Sequence, residues 1–269
     1  MVNPFHEISP CLRRIRGLLA ELVGLCALLL TGCVSEGDQL RAKGNVLLRH
    51  RSLAGALTCF RTAAQKHPDR GASLLYLGNA LFRAQRFAEA EVAYIKARAL
   101  TPQPCDVERP LAQLLAQVGR TSEAEATLVS CLTSVPDDSD ARQALGLLRL
   151  DKGDVGAAAA AFDHILNRKR DHAAALYARG RVALHQGEVA KADDLFTQLE
   201  QHHPRKPYGS YGRGLVASRR RHLDQACSLF IKAGSLGMSE AGWEQLRHDR
   251  QLANASALPC LRRKHKEGA

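Results

Sequence analysis

Aromatic residues are scarce in this chain. Phe, Tyr and Trp make up 5% of 269 residues, with one tryptophan and two methionines. A β-sandwich draws its core from β-branched and aromatic side chains, so a chain dominated by alanine and leucine is directed instead to close helix–helix packing. No C-x-x-C pair occurs among the eight cysteines, which removes support for a thioredoxin-like site or a zinc ribbon. Catalytic spacing is missing too. No nucleophile motif frames the Ser, His and Asp residues, and His202-His203 has no companion metal ligands. The carboxylate pairs Asp137-Asp138 and Asp193-Asp194 suit caps and solvated faces. No enzyme, metal or cofactor is therefore expected.

The N-terminal apolar block, Leu22 to Leu30, is nine residues long, too short to cross a bilayer as a helix. Arg13, Arg14 and Arg16 precede it as a positive n-region, and Leu30-Thr31-Gly32-Cys33 ends it. This arrangement resembles a bacterial lipobox. The resemblance implies a lipoprotein signal peptide over residues 1–32, lipid (palmitate among the acyl chains) on Cys33, and a short tether over 33–36. Two or more acyl chains make a lasting anchor, where one would be marginal. Val34 rather than aspartate follows the cysteine, which by the same resemblance directs the protein to the periplasmic face of the outer membrane.

The formal charge is +11, of which about +10 remains after residues 1–32. Outside the cytosol this balance points away from nucleic acid and towards acidic proteins, anionic lipid or cell-wall polymer. Cys11 and Cys26 would leave with the signal. Besides Cys33, five cysteines remain: Cys59, Cys105, Cys131, Cys227 and Cys260. An odd number cannot all pair.

A 34-residue period starting at Gly37 organises the rest. Its eighth positions are Gly44, Gly78, Ala112, Gly146, Gly180 and Gly214. The twentieth are Ala56, Ala90, Ala124, Ala158, Ala192 and Ala226, and the twenty-fourth Phe60, Tyr94, Leu128, Phe162, Phe196 and Phe230. Position thirty-two is Pro68, Pro102, Pro136 and Pro204, with Arg170 and Met238 as exceptions. The small residue at eight lets helix A approach helix B, and the alanine at twenty meets the same crossing. The large residue at twenty-four is expected to fill the space between neighbouring repeats, and the proline ends helix B. Pro110 predicts that the third helix A begins late or is kinked, and the run Ala157 to Ala161 predicts slim packing in the fourth repeat.

The pattern resembles the tetratricopeptide repeat. The expected fold is all-α: a solenoid of about six helix pairs at 37–70, 71–104, 105–138, 139–172, 173–206 and 207–240. A capping helix is expected over 241–257 and a basic tail over 258–269. The resemblance implies a partner-binding groove lined by helix A. On this chain the lining residues are Arg41, Asn45, Arg49, Tyr76, Asn79, Arg83, Arg109, Gln113, Tyr177, Arg181, Tyr208 and Tyr211. Asn would clamp peptide amides, Arg would pair with carboxylates, and Tyr would offer flat area at low entropic cost. Arg41 and Asn45 match the start of a carboxylate clamp known in some relatives, but Tyr76, Asp106 and Pro110 depart from the rest.

Cys105 opens a helix A and Cys131 ends the antiparallel helix B of the same repeat. A disulfide between them is one expectation, and a small core residue at 131 is the other; Cys227 with Cys260 is a second, weaker pair. Lipid-anchored chains of about six such repeats resemble the pilotins of type IV pili and the tight-adherence pilus assembly lipoproteins. That implies a scaffold for protein partners, a secretin or pilus assembly subunits among them. An adaptor recruiting peptidoglycan hydrolases or proteases is the alternative.

Overall fold

The computed structural model describes residues 35–238, which form twelve α-helices and no strand. The expected signal peptide, lipidated Cys33, capping helix and basic tail lie outside the described residues.

The chain divides after Gln103 into two compact units. The first holds α1 (Glu36–Arg49), α2 (Leu53–Lys66), α3 (Gly71–Arg83) and α4 (Phe87–Leu100). The second holds α5 (Cys105–Gln117), α6 (Thr121–Ser134), α7 (Ser139–Asp151), α8 (Val155–Arg168), α9 (Ala173–His185), α10 (Val189–His202), α11 (Tyr208–Arg219) and α12 (Leu223–Ser235). Within each unit consecutive helices pack on one another, as antiparallel pairs of a tetratricopeptide α-solenoid do. Every helix B opens at position seventeen of the period, so the phase read from the sequence holds without a slip.

Local chemistry sets the ends. Asp138 caps α7 by accepting from the Ala141 amide at 2.8 Å, and Asp154 caps α8 through the Ala157 amide at 3.0 Å. His172 does the same for α9 through Nδ1, 3.2 Å from the Ala175 amide. Pro68, Pro102, Pro136 and Pro204 each stand two residues beyond a helix B. Between A and B, position fifteen takes a left-handed conformation in all six repeats. It is Gly119, Gly153 and Gly187 in three, and Arg51, Gln85 and Arg221, with φ of 58°, 59° and 63°, in the others.

The core is built on one recurring contact. A Cβ on Gly44, Gly180 or Gly214 would stand 2.5 Å from the ring of Phe60, Phe196 or Phe230, and one on Gly78 would stand 2.6 Å from Tyr94. The ring at position twenty-four thus lies directly over position eight of its own repeat, besides reaching the next one as the period suggests. Phe60 stacks on Tyr76 of the following repeat at 5.7 Å, and Phe196 lies against Gly212. The alanine at position twenty is fully buried in every repeat. The third repeat holds Ala112 and Leu128 at these positions, both buried: a larger residue at eight with a smaller one at twenty-four.

The expected late start of the third helix A is corrected. Helix α5 begins at Cys105 and runs through Pro110. Pro104 starts the turn, and its carbonyl accepts from the amides of Val107 and Glu108 at 3.0 and 2.8 Å. Loss of the one amide hydrogen bond at Pro110 does not delay a helix anchored so early.

Gly44→Ala should destabilise the protein by about 1–3 kcal/mol, although alanine is the better helix former by about 1 kcal/mol. Adding Phe60→Leu, the combination found in the third repeat, should recover part of that loss. Urea melts of the two single variants and the double variant give the coupling, and purely additive effects would contradict the contact.

Candidate functional site

Two sets of helix A residues form candidate surfaces, one in each unit. In the first, the Arg41 guanidinium lies over the Tyr76 ring, 5.8 Å from its centroid, and pairs with Asp38. Arg70 also reaches Asp38, at 3.3 Å, and the Ser35 hydroxyl at 2.8 Å. The Ser35 hydroxyl donates to Asp38, and with the two arginines this holds the Asp38 carboxyl below its usual range against the opposing effect of burial. Tyr76 is therefore fixed between Phe60 and a cation, and Asn45 is half-buried. Arg49 and Arg83 are exposed at the helix ends.

Asn79 does not stand ready as an amide clamp. Its Oδ1 accepts from the Tyr94 hydroxyl at 2.8 Å, because the one tyrosine at position twenty-four must satisfy a buried O–H. Burial also raises the Tyr94 pKa.

In the second unit, Arg109 is engaged by carboxylates. It lies 2.8 Å from Asp140, 3.2 Å from Asp106 and 3.6 Å from Asp138, and its Nε donates to the Cys105 carbonyl at 3.3 Å. It ties α5 to the start of α7 rather than presenting a free guanidinium. Gln113 is exposed. Tyr177, Tyr208 and Tyr211 gather on α9 and α11: Tyr177 lies 5.5 Å from Tyr208, 6.3 Å from Tyr211 and 6.0 Å from Phe196. Tyr208 is 52% exposed, whereas Tyr211 is buried against Phe230 at 5.8 Å. Tyr211 is thus core support, and Tyr208, with half-buried Tyr177 and Arg181, forms the accessible edge.

Cys105 and Cys131 are joined as a disulfide, both buried, with Cα atoms 4.8 Å apart. The two sequence expectations are therefore compatible: position twenty-seven is a core position in every repeat, and in the third it also carries the cross-link. Cys59 is buried and free. The pairing read for Cys227 involves Cys260, outside the described residues.

Two charge clusters escaped the sequence reading. Arg179, 3% exposed, donates to Asp163 across α8 and α9 at 2.8 Å. Glu200 on α10 accepts from Ser210 at 2.8 Å, Arg213 at 2.7 Å and Lys232 at 2.8 Å, joining α10 to α11 and α12. Burial by itself would raise the Glu200 pKa, but the hydrogen bonds from Lys232, Arg213 and Ser210 outweigh it and hold the carboxyl at about 2. A signal existed only for the close approach: Gly209, where a Cβ would stand 2.7 Å from the Glu200 backbone.

The family model described as the tetratricopeptide repeat matches residues 41–104, 109–171 and 144–207. Among solved structures, PilW, a widely conserved type IV pilus biogenesis factor, is 15% identical with a TM-score of 0.66 over 78% of this chain and 98% of that one. PilF of Pseudomonas aeruginosa is 18% identical with a TM-score of 0.63 over 80% and 97%. Yeast Tom70 is 17% identical with a TM-score of 0.62, over 79% of this chain and 46% of that one. No curated protein matches the chain. At such identities the structural likeness speaks for the fold.

Two outcomes are expected. Unreduced protein treated with an alkylating agent should leave Cys105 and Cys131 unmodified in mass spectrometry. Reduction should destabilise the fold by about 3 kcal/mol for a loop closed across 26 positions. For Glu200, a folded pKa below the unfolded value of 4.5 makes its stabilisation fully present above pH ~5 and lost as pH falls towards 2. Glu200→Gln should therefore lower the melting temperature at pH 7, with the gap to wild type closing between about pH 4.5 and 2.

Proposed function

The chain belongs to the tetratricopeptide-repeat family, and from that premise we propose that it is a non-catalytic, lipid-anchored scaffold for protein partners in envelope assembly, an accessory to pilus or secretion-system biogenesis. The observation that carries the reading is the set of accessible helix A side chains. They are a cation-braced tyrosine with a neighbouring asparagine in the first unit, and the Tyr177–Tyr208 edge in the second. Rigid aromatic faces with adaptable amide and guanidinium groups bind extended peptide well, because little rotamer freedom is lost.

The lipobox-like ending at Cys33 supports membrane attachment. Helix α1 opens at Glu36, so only Val34 and Ser35 stand between the anchor residue and the first helix. Such a tether spans about 10 Å fully extended and would hold the first repeat against the membrane. The partners would then be membrane proteins or proteins of the adjoining layer, on the periplasmic face of the outer membrane. The likeness to PilW, a type IV pilus biogenesis factor, supports the choice of machine.

The test uses the lipidated full-length chain as bait in an envelope extract. Enrichment of a secretin or pilus subunit, lost with Tyr208→Ala or with Tyr76→Ala, is the expected outcome. Enrichment of peptidoglycan hydrolases or proteases instead would favour an adaptor role. Metabolic palmitate labelling should disappear with Cys33→Ser, and labelling that persists would overturn the anchor.

A further inference from the structure

The first unit has a second surface, formed by the other edge of the helix pairs. Two adjoining depressions of about 520 and 390 Å³ run between α2 and α4, with α3 as their floor, and share Arg61, Leu74, Leu77 and Lys96. The lining is mainly apolar. Leu74 and Leu77 form the base, and one wall carries Val92 and Leu100, 52% and 44% exposed. Such large aliphatic exposure in one groove is what a partner would cover.

The charges on the groove narrow the choice of partner. Arg61 and Lys96 stand on opposite helices, are both exposed, and have no carboxylate partner among the described residues. The acid that lines the groove, Glu89, is held by Arg86 through two hydrogen bonds of 2.6 Å. That leaves a trough of apolar floor with an uncompensated cation on each lip, in a chain of net charge +11. The lining on α4 runs from Ala88 to Leu100, roughly 18 Å at 1.5 Å per residue, or about three turns of a second helix.

We propose that this groove between α2 and α4 docks an acidic amphipathic helix of a partner protein. Its apolar stripe would lie on Leu74 and Leu77, and its flanking carboxylates would pair with Arg61 and Lys96. A helix in a groove reads the i, i+3, i+4, i+7 pattern, and a cation on either lip selects acids on both flanks of the stripe. The surface is distinct from the helix A residues of the proposed peptide site, so each can fail without the other.

A fluorescein-labelled synthetic peptide of about fourteen residues (four turns), with leucine at i, i+3, i+4 and i+7 and glutamate beside them, is titrated with the full chain and followed by anisotropy. A second peptide carries lysine for glutamate. The acidic peptide should bind and the basic one should not. Arg61→Glu with Lys96→Glu should weaken binding by about tenfold or more, and Val92→Asp should weaken it as well. The control Lys169→Glu with Arg170→Glu, an equal change of net charge at exposed positions of the second unit, should leave it intact. Equal loss in the control would reduce the effect to overall charge and overturn the proposal. Binding of both peptides alike, or insensitivity to Arg61→Glu with Lys96→Glu, would overturn it too. A full-length dimer in sedimentation that this double variant dissociates would assign the groove to a second copy of the chain and overturn the partner helix.

Discussion

The ring of position twenty-four pressed onto the glycine of position eight sets the distance between the two helices of a repeat, and the other features of each unit follow from that distance. With no side chain at eight, helix A comes close enough to seal the alanine at twenty from water and leave no void under the ring. Packing at this density tolerates little volume change in either direction. The third repeat shows the trade: Ala112 adds a methyl, Leu128 gives up a ring, and both are buried. That repeat has the least apolar filling at position twenty-four, and it is also the one closed by the Cys105–Cys131 bond. A cross-link there adds stability where side-chain burial supplies less.

Periodicity made the fold legible because it reports which face of a helix each residue occupies. Helix starts, the buried alanines and the antiparallel approach of Cys105 to Cys131 all depend on face and phase alone. The site was less legible, because it depends on what stands across from each residue. Asn79 lies on the expected face, yet the hydroxyl that occupies it belongs to the single tyrosine in a column of four phenylalanines and one leucine. Arg109 is engaged by Asp106 and Asp138 of its own repeat and Asp140 of the next, and Tyr211 is covered by rings on α9 and α12. In each case a neighbour that varies from repeat to repeat decides the outcome, and a period averages that variation away. Pro110 misled for the opposite reason: a strong local rule was outweighed by a helix already nucleated at Pro104.

The turn between A and B separates what the array imposes from what a residue prefers. Arg51, Gln85 and Arg221 adopt the left-handed conformation that glycine supplies elsewhere, at a cost of about 1 kcal/mol each. The same hydrogen bonds close the turn in either case. Ser52 and Arg86 donate to carbonyls five residues back, as Arg120 does beside Gly119. Closure of the turn and packing of the next helix therefore outweigh local preference. All three side chains are exposed, so the strained backbone is carried at places where no packing is lost.

The formal charge overstates how many cations each unit offers to a partner. In the second unit Arg109, Arg149, Arg168, Arg179, Arg213 and Arg220 all stand against acids of this chain. Contacts already made inside a fold yield little on binding, because a new partner must first displace the old one. On its helix A face the second unit then offers mainly aromatic surface, above all Tyr208 and the edge of Tyr177. The first unit keeps uncommitted cations beside apolar area, with Arg61 and Lys96 flanking exposed valine and leucine. Two units built on one repeat thus present different chemistry, and the difference arises from the residues that the period does not repeat.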